Sequence, residues 1–159
     1  MTENFAFLTL LFLRGITLPE KRECVQRSGS ALATLQAKDP HNQRLNDALF
    51  SLPEAQQRAE SELAFAEAHQ IELIPFTSLR YPASLRESKD APLLLFFKGR
   101  ADLNPVHALS IVGTRHITEY GKDCVKHFVE DLQRVQPDTL IVSGLAYGVD
   151  IHAHRHALH

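Results

Sequence analysis

The sequence predicts an α/β protein: a small all-helical N-terminal module followed by the first part of a parallel-sheet domain. Three observations predict it. Residues 1–69 carry apolar residues at helical spacing, broken by Gly and Pro. At Ile71 the pattern changes to short, dense apolar runs of strand type. Two of those runs end in small or glycine residues, Ser110-Ile111-Val112-Gly113-Thr114-Arg115 and Ser143-Gly144-Leu145-Ala146-Tyr147-Gly148-Val149-Asp150, with a helical stretch between them. A strand, a crossover helix and a second strand make a parallel pair, whose C-terminal ends share one sheet edge. Two loops far apart in sequence thus face one candidate site.

Taken in order, Phe5, Leu8, Leu11 and Phe12 form the stripe of a first helix, with Gly15 as its stop. Pro19 suits the first turn of a second helix, which carries Cys24 and Val25 and ends near Ser28-Gly29. Ser30 caps a short third helix through Leu32 and Leu35, and a fourth covers Arg44 to Phe50. Pro53 opens a longer one to about His69, rich in Ala, Glu and Gln.

Ile71 to Ile74 then reads as a strand ended by Pro75, and Ser84 to Glu87 as a helical turn after Tyr81-Pro82. Leu93 to Phe97 is a near-continuous apolar run, expected of a strand covered on both faces. His107 to Val112 is the strand that leads into the first loop. Thr118 caps the central helix, in which Val125, Phe128, Val129, Leu132 and Val135 predict one buried face. Pro137 ends it, Thr139 to Val142 forms the next strand, and Gly148 to Leu158 begins another helix. A parallel sheet needs further strands to bury its edges, and no strand follows that helix, so the second domain is expected to be truncated. The expected domains are 1–69 and 70–159.

Composition narrows the class. The chain has 159 residues, 44% hydrophobic and 23% charged, as in ordinary soluble globular proteins. A formal charge of -2 provides no overall attraction to nucleic acid or membrane, which leaves local patches to decide. Cys24 and Cys124 have no metal-type spacing and read as free thiols of a reducing cytosol. Phe5 to Leu13 is too short to span a bilayer and follows acidic Glu3 rather than a basic leader. A cytoplasmic protein without membrane association is expected.

The two loops carry the candidate chemistry. Backbone N–H groups at a helix N-terminus lack internal partners and sit at the positive end of the helix dipole. Gly144 and Gly148 flank such a start, Ser143 adds a hydroxyl, Gly113 allows close approach, and Thr114 and Arg115 offer a hydroxyl and a guanidinium fork. Together they form a phosphate cradle. The plainer reading is that the glycines only make tight turns and that Arg115 is a solvated surface residue. Asp150 would repel phosphate and is assigned a structural, loop-orienting role. Gly144 and Gly148 do not make G-x-G-x-x-G, so no dinucleotide cofactor is expected, nor any other. His152, His154 and His156 cluster, but no H-E-x-x-H arrangement or third ligand accompanies them, so no metal is expected. No catalytic Ser-His-Asp or paired-carboxylate set can be built.

At these residues the sequence resembles the DNA-processing protein A family (DprA, also called Smf). The matching text is Tyr81-Pro82-x-x-Leu85, Ala91-Pro92, Phe97-Lys98-Gly99, Ile111-Val112-Gly113-Thr114-Arg115 and Thr118-x-Tyr120-Gly121. It continues through Val142-Ser143-Gly144-Leu145-Ala146-x-Gly148-Val149-Asp150 and Ala153-His154-x-x-Ala157-Leu158. The resemblance covers about residues 71–159. It implies a Rossmann-like domain that binds single-stranded DNA, acts in natural transformation and competence, forms a homodimer and helps load the RecA recombinase, without catalysis. Carried onto this chain, the DNA contacts are Gly113, Thr114 and Arg115 with Ser143, Gly144, Leu145, Ala146, Tyr147 and Gly148. The helical module fits the family's sterile-alpha-motif-like or helix-hairpin-helix-like module loosely: Gly15-Ile16-Thr17 lacks the second glycine of a G-x-G hairpin. The rival reading is a nucleotide or phosphoribosyl hydrolase of the lysine-decarboxylase-like Rossmann group, whose phosphate loops look similar. A third is a protein-interaction module in which the helical half is the working part.

Overall fold

The computed structural model describes residues 1–37 and 42–158. The chain divides into two compact units, Met1–Arg100 and Ala101–His159.

The first unit is built around α1 (Glu3–Phe12), capped by the Thr2 hydroxyl, which accepts from Phe5 N at 3.3 Å. Its buried residues are consecutive, Ala6, Phe7, Leu8, Thr9 and Leu10. The expected stripe of Phe5, Leu8, Leu11 and Phe12 is therefore not the buried face: Phe5, Leu11 and Phe12 are only half-buried. The reason is position. A helix packed on every side is buried all round rather than along one stripe, and α1 lies among α2, α3, α5 and the β1–β2 pair. Its last carbonyls are satisfied from outside, by the buried Lys21 ammonium, which donates to Leu11 O at 2.9 Å and Leu13 O at 2.8 Å.

Helix α2 (Leu18–Ser28) carries Pro19 in its first turn and ends at Gly29, whose φ of +82° is the left-handed conformation glycine adopts at little cost. Helix α3 (Ala31–Gln36) is capped twice: Ser30 Oγ accepts from Ala33 N at 2.9 Å, and the Glu3 carboxylate accepts from Ala31 N at 2.5 Å. Then come α4 (Gln43–Ala48), a single 3₁₀ turn at Leu49–Ser51, and α5 (Leu52–Ala68).

Strands β1 (Glu72–Pro75) and β2 (Leu94–Phe97) pair antiparallel, Glu72 opposite Phe97 and Pro75 opposite Leu94. This corrects the expectation of a doubly covered strand at Leu93 to Phe97. Leu94 is buried while Phe96, two residues on and on the same face of the strand, is exposed, so the cover runs out along the strand. Between the strands lies α6 (Ala83–Arg86). Tyr81, fully buried, donates its hydroxyl to Pro92 O at 2.8 Å. Arg22 of α2 donates to Arg86 O at 3.0 Å and Ser88 O at 2.8 Å, and Phe7 meets Phe76 edge-on at 5.9 Å. The Tyr81-Pro82 segment is thereby fastened to the helices.

The second unit runs β3 (Ala108–Ser110), α7 (Glu119–Val135), β4 (Leu140–Val142) and α8 (Val149–Ala157). β3 and β4 are parallel, Ala108 beside Leu140 and Ser110 beside Val142, and Ile111 N extends the ladder to Val142 O at 3.0 Å. Thr118 caps α7 by accepting from Gly121 N at 3.1 Å. The face expected to be buried on α7 is covered only at its centre. Val129 is buried, Val125 and Leu132 are half-buried, and Phe128 and Val135 are exposed. Two three-residue strands and α8 are too small to cover both ends of a 17-residue helix. No helix among the described residues is long and apolar enough to cross a membrane.

Candidate nucleic-acid interface

The loops that follow β3 and β4 leave the same edge of the parallel pair and interlock. Val149 N donates to Thr114 O at 3.1 Å, joining the start of α8 to the first loop. Gly148, at φ +87° and ψ -129°, lies so close that a methyl group there would stand 2.1 Å from Thr114 O and 2.8 Å from Arg115 Cα. A methyl on Gly113 would stand 2.6 Å from Val149 Cγ2. In this conformation both glycines allow one loop to approach the other.

The second loop is braced both from the first stretch and from within. Ser143 Oγ donates to Ile111 O at 2.6 Å, and Gly144 N donates to Asp150 Oδ2 at 3.0 Å. Asp150, buried in the first turn of α8, thus ties that turn back to the loop that precedes it. Ile151 N and His152 N continue the bracing to Ala146 O and Gly148 O at 3.1 and 3.3 Å. The Ser143 hydroxyl hydrogen and the Gly144 N–H are therefore both engaged, one by Ile111 and one by Asp150. Ala146 is half-buried and Gly148 buried.

What faces outward is a smaller set. Thr114 and Arg115 are exposed, and Thr114 Oγ accepts from His116 N at 3.1 Å, which leaves its hydroxyl hydrogen available. Arg115 has no ion pair among the described residues. Leu145 is 63% exposed and held at φ +56°, an unusual conformation for a residue with a side chain, and Tyr147 is 85% exposed. Tyr120 in the first turn of α7 is also exposed. It lies outside the Val125–Val135 stripe, and that position is the sequence signal of a solvent-facing ring.

The histidines of α8 are on the helix that the second loop opens. Partial burial, with Lys122, Arg155 and His156 nearby, holds His152 below its ordinary value, and Glu119 opposes that shift. Glu119 is in turn held low by the Lys122 ammonium, which donates to it at 2.6 Å. His156 Nδ1 stands 4.0 Å from Glu130 Oε1. Among the described residues no three His, Cys, Asp or Glu side chains gather as a metal site.

The second unit is thus a parallel βαβ arrangement of Rossmann-like kind, with two interlocked βα loops at the edge where ligands of open α/β sheets collect. The chain belongs to the DNA recombination-mediator protein A family, whose sequence profile matches residues 72–159. It is 41% identical over 78 residues to the DNA processing protein DprA of Streptococcus pneumoniae, covering 49% of this chain and 27% of the relative. It is 41% identical over 85 residues to DprA of Bacillus subtilis (53% and 28% covered), and 38% identical over 101 residues to the protein Smf of Escherichia coli (62% and 26%). The matched stretch thus spans about a quarter of the length of these curated relatives.

Proposed function

We propose that the interlocked loops contact the backbone of single-stranded DNA, and that the protein is a cytoplasmic recombination mediator of natural transformation. It binds rather than catalyses. In the whole protein it acts as a homodimer and helps load RecA on incoming DNA. The observation that carries this reading is the exposed guanidinium of Arg115 on one braced sheet edge, with no ion pair among the described residues. A guanidinium fork fits a phosphate whatever base it carries, which suits sequence-tolerant single-strand binding. Family membership supports the connection to DNA recombination.

With a net charge of -2, attraction must come from this local cation rather than from the whole chain. Phosphate contacts release counterions, so affinity falls as salt rises. The test is a titration of fluorescently labelled oligo-dT with the purified protein at several salt concentrations. Saturable binding that weakens with salt is expected. Absence of binding, or salt-independent binding, would overturn the reading. Release of free base from nucleoside monophosphates would assign the loops to a hydrolase instead.

A further inference from the structure

We infer that Tyr147 is the base-stacking platform of the loop site, set one nucleotide's reach from a phosphate held by Arg115. The inference rests on the single-strand reading above and adds the role of one side chain. The placement follows from the interlock. The Cβ position of residue 148 falls 2.8 Å from Arg115 Cα, so Tyr147, one residue earlier, has its own Cα within about 8 Å of that atom by backbone dimensions. Over such a span one nucleotide can present its phosphate to a guanidinium and its base to a ring.

Presentation is the second part of the argument. Tyr147 is 85% exposed, yet its segment is held by the bonds of Ser143, Gly144, Ile151 and His152 and by that of Val149 to Thr114. An aromatic ring gives up much burial by standing in water, and here it does so on a loop with little freedom to fold it away. Leu145, two residues earlier, is also exposed and sits at φ +56°, so the segment accepts backbone strain while displaying apolar groups. A preorganised ring beside a cation suits stacking, because every base has a π-face and the ring loses little entropy on contact. It also predicts a site indifferent to base identity.

The test compares oligo-dT with an abasic deoxyribose-phosphate strand of equal length, using the full chain and its Tyr147→Ala, Tyr147→Phe and Arg115→Ala variants. Tyr147→Ala is expected to weaken oligo-dT binding by about 5- to 150-fold, the effect of removing one stacked base. Tyr147→Phe keeps the ring and should keep the affinity. On the abasic strand Tyr147→Ala should match the unmodified protein, whereas Arg115→Ala loses affinity on both strands. Unchanged oligo-dT binding by Tyr147→Ala, or an equal loss on the abasic strand, would overturn the stacking role and leave the DNA reading intact. Failure of the unmodified protein to bind either strand would overturn both. The chain has no Trp and 3 Tyr, so quenching of tyrosine emission on oligo-dT binding, lost in Tyr147→Ala, is a direct second readout.

Discussion

Replacing Gly148 by alanine tests whether the two loops form one structural unit. Its φ of +87° with ψ -129° belongs to glycine, and a side chain forced into such a region costs about 1–3 kcal/mol. The added methyl would also stand 2.1 Å from Thr114 O, a backbone atom that no rotamer change can move. The loops must separate, and the Val149 N–H to Thr114 O bond at 3.1 Å is lost, adding about 0.5–1.5 kcal/mol. A total of about 2–4 kcal/mol follows, read as a lower urea midpoint for the second unit and as lost exchange protection at the Val149 amide. Gly113→Ala provides the contrast, because it meets the Val149 side chain rather than backbone, with Cγ2 at 2.6 Å and Cβ at 2.8 Å. Adding Val149→Ala removes the nearest atom and should recover part of the loss, a non-additivity that no second substitution of this kind can give to Gly148→Ala. Unaltered stability and unaltered Val149 protection in Gly148→Ala would refute the interlock.

Two further expectations concern single groups. Asp150→Ala leaves the Gly144 N–H without its acceptor and should cost about 1–3 kcal/mol, whereas Asp150→Asn keeps an acceptor oxygen and should cost less. Equal urea midpoints for the two variants would contradict that role. Glu20 is held at about 2 against an ordinary 4.5, first by the Thr17 hydroxyl, then by the Thr17 amide and by Arg44. Between those values the unfolded chain binds more protons, so stability rises with pH across that window and is lost as pH falls through about 2. Glu20→Gln should flatten this acid limb in denaturation curves taken between pH 2 and 4.5, and an unchanged slope would count against it.

Local signals were legible where one residue type decides the backbone. Gly29 ends α2 in the left-handed conformation that favours glycine, and Thr118 caps α7 through its own hydroxyl. The parallel pairing of β3 and β4 followed from a strand, crossover helix and strand in succession. Burial was less legible, because it depends on neighbours the sequence does not display. Ala6 to Leu10 are buried all round because α1 is enclosed, and Phe128 and Val135 stand exposed because α7 outreaches its cover. At the site, the glycines showed that a close approach was needed but not what approaches. The contact of Gly148 with Thr114 and Arg115, and the bond of Ser143 to Ile111, arise only when two distant segments meet.

The central claim is that Arg115 holds a phosphate of single-stranded DNA. Its most direct test is the slope of log binding constant against log salt for oligo-dT, measured for the unmodified protein and for Arg115→Ala. Each phosphate neutralised on a single strand contributes about 0.7 to that slope. The account predicts that Arg115→Ala binds more weakly and with a slope shallower by about 0.7. An unchanged slope and affinity would contradict it.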